Sequence, residues 1–556
     1  MTEFKDIHIA YFSMEIGVDS SIPTYSGGLG VLAGDTLRSF ADLEIPVVGI
    51  TLLYKKGYFK QTINEKGEQT EEEVKWNPEK FLKPLPNEVT VTIEDRKVKI
   101  KAWIYKLKGV TEQTNPILFL DTDIIGNSEF DKTITHQLYG HEDQYRLAQE
   151  IVLGIGGTRM LENLGFQNLK KYHMNEGHSA LLTLELYNKL KDKNIESVRK
   201  KCVFTTHTPV PAGHDQFPKA LAEKMLGEMI KPELKNDIFL DEKLNMTYLG
   251  LRFSEFINGV AKKHGEVSRD MFPGYHIESI TNGVHSAFWC SKHLKKLFDK
   301  YIPGWEVDSF SLRYILSIPK EELWDAHIEC KKELLRFVKE HNNVEMNPEI
   351  FTIGFARRVA TYKRGDMLFS DIKRLKNIAE KSKGLQIIYA GKAHPRDWEG
   401  KQVIKKIINA MKEVNENIKV CYIQNYDISI AKMLVSGVDL WLNTPLRPQE
   451  ASGTSGMKAA HNGVPQFSVL DGWWLEGHIE NVTGWSIGAH PDNTKENIHL
   501  EDVKDMYDKL EYVIMPKFYN DRTAWIDTMR HSIAINGSFF NTHRMAQQYV
   551  LNAYFQ

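Results

Sequence analysis

What the 556-residue sequence lacks narrows the field before any motif is considered. No apolar run approaches the length of a membrane span. The opening MTEFKDIHIAYFSMEIG carries Glu3, Asp6 and Glu15 where a signal peptide needs an uninterrupted apolar core. The expectation is therefore a chain that stays soluble inside the cell and uses no membrane. Neither sign of charge prevails, with 71 basic against 73 acidic side chains, so nothing draws the chain to nucleic acid or an acidic surface, and a small or neutral partner is expected. The four cysteines, Cys202, Cys290, Cys330 and Cys421, lie far apart without paired spacing. That argues against a zinc site and a secreted disulfide framework and fits a reducing cytosol. Tandem short repeats and low-complexity tracts are also missing.

What is present reads as α/β. The length calls for roughly two to four domains. IHIAYFSMEI can be a buried strand, and TYSGGLGVLAGDTLRSFADLEIPVVGI continues as glycine loop, helix and second strand. Residues 55–116 are charged and alternating, which predicts an antiparallel insertion rather than a helical crossover. The α/β rhythm then resumes, and KKYHMNE and KCVFTTHTPV end as strands in polar residues, Asn175, Glu176, His178, His207 and Thr208. After the PGW turn at 303–305, five short apolar runs alternate with helical or polar segments, which is the spacing of a second parallel sheet. The expected organisation is two Rossmann-like, doubly wound domains, 1–300 and 301–556, facing one another across a cleft. The last helices either continue the second domain or cross back to the first.

Three stretches suit anions. Asn443 to Lys458, NTPLRPQEASGTSGMK, reads as strand end, polar loop and first helical turn, where small residues let backbone N–H groups approach a ligand. Lys458, one turn on, is placed to hold a phosphorylated aldehyde. GFARRVATYKRGD sets Arg357, Arg358, Lys363 and Arg364 at a strand-to-helix turn, as two closely held phosphates would require. Gly27, Gly28 and Gly30 stand at a helix entrance. Taken singly, these are also a glycine loop with a surface lysine, a solvated helix start and a tight turn. Together they form three anion-binding features, each at a strand end. His173, Glu176 and His178 have some of the look of metal ligands, but with no second cluster they are expected to be hydrogen-bonding loop residues, and no metal is expected.

These residues resemble those of the glycogen, starch and maltodextrin phosphorylases. EASGTSGMK looks like that family's cofactor-lysine signature and RRVATYKR like its phosphate-binding stretch, and YFSMEIG, SGGLG, TTHTPVPAGHD, TNGV and NGVAKKHGEVSR follow in order along nearly the whole chain. The likeness is to short bacterial and archaeal members. It implies a GT-B glycosyltransferase architecture, pyridoxal 5′-phosphate as a Schiff base on Lys458, and phosphorolysis of α-1,4-glucan to α-glucose 1-phosphate with retention of configuration, the cofactor's phosphate exchanging a proton with orthophosphate.

Carried over by position, Arg358, Lys363 and the backbone of Gly28 meet the attacking phosphate, and Lys458, Arg358, Lys363 and His207 form the catalytic set. Arg357, Thr454 and Ser455 hold the cofactor phosphate, with Tyr426 nearby. His207, Asn282, Tyr362, Glu450, Ser452 and Gly453 orient the sugar. Two positions depart from the larger enzymes, which carry basic residues where this chain has Val31 and Asp427. They bear on how the cofactor phosphate is neutralised, not on Lys458. The N-terminal regulatory segment of animal members has no counterpart, so unregulated activity is expected, in a cytoplasmic enzyme; the sequence leaves the oligomeric state open, a homodimer being the common soluble arrangement. Trp289, Trp473 and Trp474 are either sugar platforms or core, the latter expected. The alternatives are a nucleotide-sugar-dependent glucan synthase of the same fold and a non-catalytic glucan-binding protein.

Overall fold

The computed structural model describes residues 4–140, 142–414, 416–491 and 498–555. The chain divides into two compact units, one formed by Met1–Phe59, Glu73–Thr281 and Met545–Gln556, the other by Lys60–Glu72 and Asn282–Arg544.

The first unit is built on a sheet of nine strands: β1 Ile9–Ser13, β2 Val47–Leu52, β3 Lys83–Ile93, β4 Arg96–Lys108, β5 Thr114–Asp121, β6 Lys171–Asn175, β7 Cys202–Thr205, β8 Phe256–Gly259 and β9 Glu278–Ser279. They lie in the order β9-β8-β7-β6-β1-β2-β5-β4-β3. From β9 to β5 every pairing is parallel, and β4 and β3 extend the edge antiparallel. The sequence shows the reason. β1 and β2 are buried at every position, as strands covered on both faces must be, whereas β4 alternates buried and half-exposed residues. Helix α1, Gly28–Asp42, follows β1 and carries the glycine loop at its start. At Gly34 an added Cβ would lie 2.0 Å from the Gly17 carbonyl oxygen, so this glycine serves close packing. Residues 545–554 belong to this unit too: Met545, Tyr549 and Tyr554 join the cluster of Ile9, Tyr11, Leu37 and Phe40.

The second unit has six parallel strands among the described residues: β10 Thr352–Ala356, β11 Leu385–Ala390, β12 Ile418–Ile423, β13 Leu440–Asn443, β14 Gln466–Val469 and β15 Gly484–Ile487, in the order β12-β11-β10-β13-β14-β15. Helices α2, Ile428–Gly437, and α3, Thr454–His461, follow β12 and β13.

Two boundaries differ from those expected. The junction falls at 281/282, because the stretch read as a border is interior: Trp305 packs on Phe298 and shares a core with Leu312 and Ile353. The 55–116 insertion is divided. Residues 83–108 form the antiparallel edge of the first unit, whereas strands Lys60–Ile63 and Gln69–Glu72 pair as a hairpin of the second. No described helix is long and apolar enough to cross a membrane.

Candidate active site

In the second unit the strand ends converge on one carboxylate. Arg357, just beyond β10, donates from Nη2 to Glu450 Oε2 at 2.6 Å, and Lys363 Nζ reaches the same oxygen at 2.7 Å. Arg357 Nη1 also meets Asn443 Oδ1 at the end of β13. All three charged groups are shielded from solvent. Burial alone would raise the Glu450 carboxyl, but the two cations outweigh it and hold it down to about 2. Its neighbour Asp471 behaves oppositely. It accepts the N–H of Glu450 at 2.9 Å and that of Gly472 at 2.9 Å, yet burial, reinforced by the Glu450 charge, pushes it up to about 7.

The loop after Glu450 turns into α3 through Gly453, whose φ of +86° favours glycine. Ser452 is buried, and its Oγ has no hydrogen-bond partner. Thr454 opens the helix, and Ser455 Oγ accepts from Trp441 Nε1 at 3.2 Å. Lys458 is buried one turn on, its ammonium 4.1 Å from the centre of the Trp289 ring. Trp289, Trp473 and Trp474 are all interior, so none stands out as an exposed sugar platform.

The remaining candidates in this unit take different positions. Arg358 is exposed, and Arg364 is spent on structure, bonding the carbonyls of Thr444 and Pro445 and pairing with Asp502. Tyr362 lies under the Lys363 ammonium, 4.4 Å from its ring centre. The Tyr426 hydroxyl is raised by burial, with the Arg357 charge opposing, so it stays a neutral donor. Asn282 is buried, its Oδ1 without a partner and its carbonyl held by Arg544 at 2.9 Å. Asp427 caps α2, accepting the Ile430 N–H at 2.8 Å, and Val31 is an interior residue of α1 in the first unit.

In the first unit the glycine loop is gripped by Glu15. Its Oε2 accepts the N–H of Ser26 at 2.5 Å and of Gly27 at 3.2 Å, while Tyr139 donates to Oε1 at 2.6 Å. A Cβ on Gly28 would meet nothing within 4 Å, so the fold itself does not demand glycine there. His207 sits beyond β7, its N–H bonded to Glu176 Oε2 at 2.7 Å and its Nε2 2.6 Å from Asn175 Oδ1. The Asn175 amide nitrogen is turned to Ser13, so His207 Nε2 is the donor to Oδ1, and Nδ1 keeps its lone pair. Burial holds His207 down to about 3, and the ring is neutral. Glu176 adopts φ +77°, an uncommon conformation for a side chain of its size, and its carboxylate also receives the Thr208 hydroxyl. His173, Glu176 and His178 point to separate partners: His173 bonds Tyr554 and Thr205, and His178 lies 3.5 Å from Asp215.

Glu15, Asn443 and Asp471 were not singled out by the sequence reading. Glu15 had left one signal, a lone charge inside an apolar run. Asn443 only opened the stretch that ends at Lys458, and Asp471 left no signal, because their work is to hold other side chains and backbone.

A family model described as carbohydrate phosphorylase matches residues 19–147 and 235–486. The chain is 41% identical to the maltodextrin phosphorylase of Thermococcus litoralis, over 98% of this chain and 70% of that one. It is 34% identical to the glycogen phosphorylase of Aquifex aeolicus, over 98% and 86%, and 33% identical to that of Mycobacterium tuberculosis, over 98% and 70%. An ordered set of strand-end motifs, a family match over most of the length and relatives aligned almost end to end agree: the chain belongs to the carbohydrate phosphorylase family.

Proposed function

We propose that this protein phosphorolyses α-1,4-glucans, glycogen or maltodextrins, to α-glucose 1-phosphate with retention of configuration, using pyridoxal 5′-phosphate carried by Lys458. The reading includes a GT-B glycosyltransferase architecture. The observation that carries the reading is the convergence of Arg357 and Lys363 on one oxygen of Glu450, next to the glycine-headed helix of Lys458. Relatives named maltodextrin and glycogen phosphorylase support it and do not favour the synthase alternative.

The residues present fit the cofactor. Arg357 Nε and Ser452 Oγ are buried polar atoms without partners, aligned chemically with a phosphate and its surroundings. Lys458 is kept from bulk water above Trp289, as an amine holding an aldehyde needs. When bound, the cofactor supplies a phosphate group that exchanges a proton with orthophosphate.

The chain's own part is positioning and charge. Arg357, Thr454, Ser455 and the neutral Tyr426 hydroxyl hold the cofactor phosphate. Arg358, Lys363 and the Gly28 N–H hold orthophosphate, so that cations lie around two anions that would otherwise repel. Lys363 must turn from Glu450 to do so, which leaves Glu450, with Ser452 and Gly453, to accept and donate hydrogen bonds at the far edge of the sugar. His207, Asn282 and Tyr362 orient its other hydroxyls, and a neutral His207 offers Nδ1 as an acceptor without adding charge beside the cationic sugar carbon. The reading includes a cytosolic homodimer and no resident metal.

The test is incubation with maltooligosaccharides of graded length and orthophosphate, with and without pyridoxal phosphate, followed by borohydride reduction and peptide mapping. The expected result is glucose 1-phosphate release that needs both additions, with the pyridoxyl label on Lys458. Glucosyl transfer from ADP-glucose with an unlabelled lysine would replace the reading by the synthase. Glucan binding that survives loss of both Lys458 and Arg358, without phosphate-dependent release, would replace it by the binding protein.

A further inference from the structure

In the first unit the last residue of β1 lies beside the last residue of β6, and the register of the sheet decides which side chains meet there. Ser13 pairs with Asn175, and Asn175 with Thr205, two residues before His207. Ser13 and Asn175 are both interior. Their side chains continue the bond made by His207 into a chain of three: His207 Nε2 lies 2.6 Å from Asn175 Oδ1, Asn175 Nδ2 lies 3.1 Å from Ser13 Oγ, and Ser13 Oγ lies 2.7 Å from the carbonyl oxygen of Glu15.

Counting hydrogens gives this chain one direction. A carbonyl oxygen only accepts, so the single hydroxyl hydrogen of Ser13 is donated to Glu15. Towards Asn175 the Ser13 oxygen can then only accept, which holds the amide nitrogen on its side and turns Oδ1 to the imidazole. Turning the amide over would set its carbonyl against an oxygen with no hydrogen left to give, in a place without water, where unmet polar groups are costly. The anchor also serves the glycine loop, since the carboxylate of the same Glu15 accepts the N–H groups of Ser26 and Gly27. An asparagine suits this position better than an aspartate of the same shape, because a carboxylate against Nε2 would draw a second proton onto the ring. The other titratable groups around His207 leave it neutral: burial holds His173 down to about 3 and His178 and His264 to about 4, and Glu176 is engaged by the His207 backbone N–H.

We propose that Asn175 is a positioning residue for sugar recognition: with Ser13 locking its amide, it fixes His207 as an acceptor at Nδ1, so that the protein takes a hydroxyl hydrogen from the glucosyl unit and rejects a group that cannot donate one. This rests on the assignment of His207 to the sugar in glucan phosphorolysis. The holoenzyme is run towards glucan, with glucose 1-phosphate as donor and a maltooligosaccharide as acceptor. The kcat/KM is measured over about pH 6 to 9 and, at neutral pH, for donors with one hydroxyl at a time replaced by fluorine, which accepts but does not donate. The position that His207 meets is the one whose discrimination against fluorine is lost in His207→Ala.

Taken as a ratio to wild type, so that ionisations of substrate and cofactor cancel, kcat/KM of Asn175→Asp is expected to rise at least about tenfold from the acid to the alkaline end. At the acid end the ring carries its second proton and Nδ1 no longer accepts. Ser13→Ala frees the amide to turn; its ratio should not vary with pH, while its discrimination against fluorine at the His207 position narrows at least about threefold. A flat ratio in folded Asn175→Asp, or unchanged discrimination in Ser13→Ala, overturns the proposal. If Asn175→Asp does not fold, Ser13→Ala decides alone. Wild type without activity on glucose 1-phosphate, or a His207→Ala variant that alters no discrimination, would instead remove the underlying reading, and the proposal with it.

Discussion

Replacing Glu450 by Gln tests the arrangement on which the site is built. The substitution preserves shape and leaves Arg357 and Lys363 facing a neutral amide. The two cations hold the Glu450 carboxyl at about 2, against 4.5 for an ordinary glutamate. A depressed carboxyl contributes stability that is complete above its unfolded value and is lost as pH falls towards the folded one, so at pH 7 the full contribution of about 3 kcal/mol is present. Leaving buried cations without their partner costs about 3–5 kcal/mol in general. Glu450→Gln should therefore lower the melting temperature by about 5–10 °C in phosphate-free buffer. The same change removes the internal competitor for phosphate. Orthophosphate should bind the variant more tightly than wild type, by about tenfold if some 1.4 kcal/mol of the released cation energy reaches the ligand. Thermal unfolding across an orthophosphate series measures both effects. A melting temperature within a degree of wild type, or a destabilised variant that phosphate rescues no better than wild type, would refute the idea that Glu450 is a stand-in anion.

Three further outcomes follow from other parts of the site. Gly28→Ala places a methyl where no protein atom lies within 4 Å. It should leave stability unchanged or raise it by up to about 1 kcal/mol, while raising the KM for orthophosphate at least about tenfold; an unchanged KM would remove the Gly28 backbone from the cradle. Tyr139→Phe deletes the hydroxyl that donates to Glu15. Urea unfolding should show a loss of about 0.5–1.5 kcal/mol, accompanied by weaker phosphate binding because the glycine loop loses its anchor, and normal binding would limit Tyr139 to a packing role. Asp471, an acid whose folded value is raised to about 7, binds more protons folded than unfolded between about pH 4 and 7. Its contribution therefore falls as pH rises through that window and is constant above it. Stability measured against pH should decline less in Asp471→Asn than in wild type over that range, and parallel curves would contradict the assignment.

Much of this was readable before the structure. Two-faced burial of parallel strands leaves continuous apolar runs, which is why β1, β2, β10 and β11 could be read directly. The strand end, loop and helix start leading to Lys458 were equally plain, because a run of small polar residues after an apolar stretch interrupts regular structure. What escaped was decided by contacts distant in sequence. The hairpin of residues 60–72 has the same alternation as residues 83–108, and only its amide partners Gly391, Ala393 and Asn425 assign it to the second unit. The charged stretch after residue 305 looked like a border because helix starts and linkers share a composition. Trp289 shows the limit for single residues: its burial was expected, but its place beneath the Lys458 ammonium depends on how α3 packs, which no local pattern encodes.

The acidic groups of the second unit suggest how the proposed anion site remains folded without its ligands. Guanidinium and ammonium groups shielded from water need negative charge nearby, and each carboxylate brought in to supply it will compete with the ligand. Glu450 answers two cations with a single charge, the least competition that can serve both. A second ionised carboxylate beside it would add stability to the empty form and cost affinity in the filled one. Asp471 occupies that neighbouring position and is kept largely protonated below about 7, where it can accept backbone N–H groups without offering a full charge. On the proposed reading, an incoming phosphate would displace one negative charge rather than two.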